Sequence, residues 1–134
     1  MGKAASVLAA VPGLGFGLPC VFGIWFFATY GRVWIFVGFP TYGDGPFTSV
    51  GIPTTVPLLV AFLMVCVLEV VAAWALWRGR RLGTVLALVL LPFELVFWIG
   101  FALPFGPPLG LARVALVLAR LVRGLPSTTS VRRR

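Results

Sequence analysis

Apolar positions along the chain gather into four long runs, at about 4–30, 52–77, 82–103 and 109–125, separated by basic or Gly/Pro-rich stretches. A helix rising about 1.5 Å per residue needs roughly 20 apolar residues to cross a bilayer's hydrocarbon core. Inside lipid every backbone N–H and C=O must find a partner within the protein, which favours helices for such runs. The pattern therefore predicts an all-α integral membrane bundle of four transmembrane helices. Residues 1–125 form its single domain, with an outer loop at 31–51, and 126–134 is a basic disordered tail. The first run extends for roughly 25 residues, beyond the 7–15 of a secretory signal core, so it is read as a span.

Two runs carry residues unsuited to a plain helix. Pro12, Gly13, Gly15, Gly17 and Pro19 fall close together in the first. Gly13 and Gly17 form a G-x-x-x-G pair that would admit a neighbouring helix at short range. Alternatively the helix breaks there and its freed carbonyls line a polar cavity. In the third run Pro92 cannot donate to the carbonyl of Leu88, which leaves an acceptor free. The outer loop contains Trp34, Phe39, Tyr42, Asp44 and Phe47, with a tight turn at Gly43-Asp44-Gly45-Pro46. Its aromatics suit the depth of the head groups. The loop is either an ordered cap over the bundle or a lid or partner-contact surface.

Composition supports lipid as the outer solvent. Hydrophobic residues make up 60% of the 134 and charged residues 10%, with a mean hydropathy of +1.09. A soluble domain carries about a quarter charged residues. The 11 basic residues against 3 acidic ones would suit nucleic acid, but no soluble module carries them. They flank the runs instead. With four spans, Lys3, the 78–81 turn and the C-terminal arginines share one side, which the positive-inside tendency makes cytoplasmic, together with both termini. Arg78, Arg80, Arg81, Arg120 and Arg123 are then candidates to contact anionic lipid head groups. Usage rich in Ala, Val, Leu, Arg and Gly and poor in Lys suggests a GC-rich genome and a bacterial cytoplasmic membrane.

Three charged residues lie well inside the runs, away from their ends: Glu69, Glu94 and Arg113. Counting back from the turns brings all three to similar depth, with Arg113 able to reach Glu94 and Glu69 left as the spare acid. A charge near the bilayer centre is costly unless paired or hydrated, so such residues face the bundle interior. They serve either as an interhelical clamp or as a proton or cation relay. Cofactor and metal chemistry find no support, since the chain has no histidine and Cys20 and Cys66 stand alone. Without a histidine base or a nucleophile motif, the chain is not expected to be an enzyme. The expected role is an accessory or scaffold subunit, or a lipid-binding helper, in a larger membrane assembly. The alternative is a small homo-oligomeric proton- or cation-coupled transporter or channel that uses Glu69 and Glu94. Its partners are membrane lipids and other membrane proteins or further copies of the chain.

Overall fold

The computed structural model describes residues 2–123; the tail read at 126–134 lies outside the described residues. In chain order the elements are α1 (Gly2–Tyr30), β1 (Ile35–Phe36), β2 (Phe39–Pro40), α2 (Pro46–Ser49), α3 (Val56–Trp77), α4 (Arg81–Gly100) and α5 (Gly106–Arg123). The chain is mostly helical, and α1, α3 and α4 are long and apolar enough to cross a membrane. These are the marks of a multi-pass integral membrane protein. Helix α5 has 18 residues and contains Arg113, Arg120 and Arg123, so it is not among those three.

The four long helices close into a ring. α1 packs on α3 and α5, and α4 packs on the same two. Short turns make α3 antiparallel to α4, and α4 antiparallel to α5. Apolar side chains such as Leu18, Val21, Met64, Val89 and Val96 cover the outside, where water would find no hydrogen-bonding partners. Inside are two apolar clusters. One, at the end that carries the 31–51 loop, contains Cys20, Tyr42, Leu59, Phe62, Cys66, Trp98 and Phe101. The other, at the opposite end, contains Ala5, Leu76, Ala87 and Val117.

Local chemistry sets the helix ends. Thr55 caps α3, its hydroxyl accepting from the Leu58 N–H. At the other end Gly79 adopts φ +67°, and the N–H groups of Arg80 and Gly79 return to the carbonyls of Ala75 and Leu76. That Schellman closure satisfies carbonyls that a helix end otherwise leaves free. α4 closes in the same way through Ala102, at φ +55°. The Leu103 N–H reaches the Trp98 carbonyl at 2.7 Å, so the helix stops at Gly100, short of the expected 103. Conversely, α5 begins at Gly106, before the expected 109. Pro107 and Pro108 sit in its first turn, where a missing N–H costs no hydrogen bond.

Two sequence readings change. α1 runs unbroken from Gly2 to Tyr30 with Pro12 and Pro19 inside it, so the broken-helix alternative does not apply. The outer loop also holds a small antiparallel hairpin in which Ile35 pairs with Pro40 and Phe36 with Phe39. Val37 (φ +50°) and Gly38 (φ +82°) make its turn. Two positive-φ residues there match the twist of paired strands.

Candidate functional site

Between the two apolar clusters lies a buried triad of charges. Arg113 comes from α5, Glu69 from α3 and Glu94 from α4, and the side chains of all three are 0% exposed. Each helix turns one interior stripe to this point. On α4 the stripe is Gly83, Ala87, Leu90, Glu94 and Trp98, at spacings of three and four residues. On α5 it is Gly106, Gly110, Arg113 and Val117. Arg113 Nη1 donates to Glu69 Oε1 at 3.2 Å, and Nη2 donates to Glu94 Oε2 at 2.5 Å. Nη2 also donates to the Ala87 carbonyl at 3.3 Å.

This geometry corrects two expectations. Glu69 is not a spare acid, because the fork of the guanidinium gives one Nη to each carboxylate. The backbone acceptor is Ala87, not the Leu88 carbonyl freed by Pro92. Ala87 lies on the interior stripe, whereas Leu88 is only half-buried and turned aside. Among the described residues, Glu69 Oε2, Glu94 Oε1 and Arg113 Nε are buried without a hydrogen-bond partner.

Small residues bring neighbouring helices close together at two places near the triad. A Cβ placed on Gly13 would come within 3.1 Å of Glu69 Cβ and 3.0 Å of the Cys66 carbonyl oxygen. α1 therefore closes over the stem of Glu69, and Gly17 continues the contact against Cys66. Gly15 has open space beside it and takes no part in this seam. On the other side the Trp98 ring lies over Gly106 and Gly110, one turn from Glu94. Sequence reasoning missed this second small-residue pair. Its G-x-x-x-G spacing is visible in the sequence, but Gly106 falls outside the apolar runs at 82–103 and 109–125.

Polar side chains bind α1 to α3 above and below the glycines. Ser6 Oγ donates to the Ala73 carbonyl at 2.6 Å, and the Cys20 thiol donates to the Leu59 carbonyl at 3.4 Å. Both cysteines are free and buried. No group of three or more His, Cys, Asp or Glu side chains suited to a metal occurs among the described residues.

The outer-loop residues divide into two sets. Tyr42 turns inward, 2% exposed, and its hydroxyl donates to the Phe16 carbonyl at 2.6 Å. Burial raises its pKa well above the ordinary 10.0. Phe47 rests over Gly100 and meets the rings of Phe97 and Phe101 edge-on. Trp34 is half-buried and edge-on to Phe22, with centroids 4.7 Å apart. Only Phe39 and Asp44 of the five remain exposed. Both line a cavity of about 580 Å³ between the loop and the α4–α5 turn.

The basic residues at the opposite end also divide. Arg78 and Arg80 both lie over the Trp74 ring, at 5.1 and 4.8 Å from its centroid, and Lys3 lies over Trp77. Arg81 and Arg120 instead line a cavity of about 430 Å³. A third, apolar cavity of about 170 Å³ opens beside Gly13 and Cys66. None of these three cavities is lined by Glu69, Glu94 or Arg113. Compared with protein-family models, curated proteins and solved structures, the chain finds no match.

Proposed function

We propose that the chain is a small accessory or scaffold subunit of a larger membrane assembly. In this reading it is a four-span bundle with α5 as its fourth span and both termini cytoplasmic. The carrying observation is that the Arg113–Glu69–Glu94 triad is wholly enclosed and ties three helices together. A transport site has to meet water or substrate from each side in turn, and here the side chains of all three charges are 0% exposed, with α1 packed over the stem of Glu69 at Gly13. A buried charge cluster whose main contacts are with itself acts as a packing device that fixes which helix faces meet. Among the described residues, the longest segment between two long helices is the one at 31–55.

One observation favours the second reading, a small homo-oligomeric proton- or cation-coupled transporter. Two acids face a single guanidinium, and one oxygen of each carboxyl has no partner among the described residues. A proton or small cation would complete that set.

Native mass spectrometry of the protein drawn from its own membrane in mild detergent, at natural abundance, separates the two. The scaffold reading expects larger partners in fixed stoichiometry. A bare homo-oligomer would instead favour the transporter.

A further inference from the structure

The basic end of the bundle carries a cavity lined by two exposed arginines, Arg81 and Arg120. The chain has three acidic side chains, Asp44, Glu69 and Glu94, and none lies near Arg81 and Arg120. The side chains of these two arginines make no ion pair or hydrogen bond among the described residues. Their neighbours Lys3, Arg78 and Arg80 are already placed over tryptophan rings. Arg120 is held close to the backbone of Gly2, where a Cβ would come within 2.6 Å of its Nη1.

The cavity between the two arginines has two characters. Thr84 offers a hydroxyl beside Arg81, while Leu116, Val117 and Leu121 form an apolar wall. Arg81 opens α4, a 20-residue helix whose N-cap, Arg80, provides no side-chain acceptor and whose first turn holds no acid. The positive end of that helix dipole therefore adds to the two guanidinium charges. Cations, free N–H groups and a hydroxyl beside an aliphatic wall, at the end of a membrane bundle, fit a phosphate joined to an acyl chain.

We propose that this cavity is a specific site for an anionic glycerophospholipid. Arg81, Arg120 and Thr84 hold its phosphate, and its acyl chain lies along Leu116, Val117 and Leu121. The site rests on the reading of the chain as a membrane-embedded bundle, but it requires no partner subunit. Bound there, the lipid joins the N-terminal end of α1 to α4 and α5, and its single phosphodiester charge offsets part of the charge of the two arginines.

The test uses the purified full-length chain in mild detergent, with phosphatidylglycerol or phosphatidylcholine added and retention read by native mass spectrometry. One phosphatidylglycerol per chain is expected, with phosphatidylcholine retained much more weakly. The R81Q/R120Q variant should lose about tenfold or more in affinity. The R78Q/R80Q variant makes the same change in net charge and should stay within about threefold. Should R81Q/R120Q fail to fold, R81Q and R120Q are measured singly, each with an expected loss of about threefold. Equal losses in the two double variants would overturn the proposal, since the attraction would then be diffuse. Equal retention of phosphatidylcholine would also overturn it. So would inorganic phosphate alone stabilising the chain as much as the lipid does, because the ligand would then be a soluble anion. Because the chain is measured alone, absence of a partner in the native membrane leaves this result unaffected.

Discussion

α1 and α5 complete the same ring by opposite means. α1 is 29 residues long and has no charged residue after Lys3. It approaches α3 through glycines, and its hydroxyl and thiol donate to α3 carbonyls. α5 is 18 residues long and strongly two-faced, and a fully buried arginine on its interior stripe holds it in place. Lipid supplies no hydrophobic force between helices, so packing and polar contacts must select their neighbours. α1 does this by close approach over many weak contacts. α5 concentrates it in one residue. The bundle should therefore tolerate scattered changes along α1 much better than a single change at position 113.

The largest effect should come from R113M. It leaves two carboxyls facing each other with no cation, and removing one member of a buried ion cluster costs about 3–5 kcal/mol. Thermal unfolding in detergent, followed by circular dichroism, should show α5 detaching or the whole bundle melting early. The triple variant E69M/E94L/R113M sharpens the point. An apolar set of similar volume should recover most of the lost stability, because a clamp needs complementarity and not charge as such.

On α1 the glycines should behave unequally. G13L forces a branched side chain against Cys66, Glu69 and Val70, and overpacking of this kind costs about 1–3 kcal/mol. G15A meets open space and should be neutral or gain up to about 1 kcal/mol from helix propensity. The same unfolding scans compare the two. If G15A proved as damaging as G13L, the seam would not run where the structure places it. The smallest effect belongs to S6A, which removes one interhelical hydrogen bond worth about 0.6 kcal/mol by analogy with other membrane bundles.

The same contrast explains what could be read from the chain. α1, α3 and α4 stand out because residue after residue is apolar, and that signal does not depend on which face is buried. α5 carries three arginines in its 18 residues, so its apolar signal is weak. Depth counted from the turns brought Glu69, Glu94 and Arg113 together. Depth alone does not describe how a guanidinium fork divides between two acids, so by depth Glu69 has no partner. Gly13 and Gly17 were recognisable by their spacing, while Gly15, between them, differs only in the direction it faces. Tyr42 was the least legible. As an aromatic in a loop rich in Gly and aromatics it suggests the interface, and only the fold shows its hydroxyl reaching back to the Phe16 carbonyl. Helix ends shifted by a few residues because Ala102 took a left-handed conformation usually left to glycine, and prolines 107 and 108 opened a helix in place of ending a turn.

The measurement that bears most directly on the enclosed clamp is proton flux through the purified protein reconstituted in liposomes under an imposed pH gradient. The clamp predicts a rate indistinguishable from protein-free vesicles, for the native chain and for E69Q/E94Q alike, with the variant melting at a lower temperature. A flux above that background, lost in an E69Q/E94Q variant that remains folded, would contradict it and make the two acids a relay.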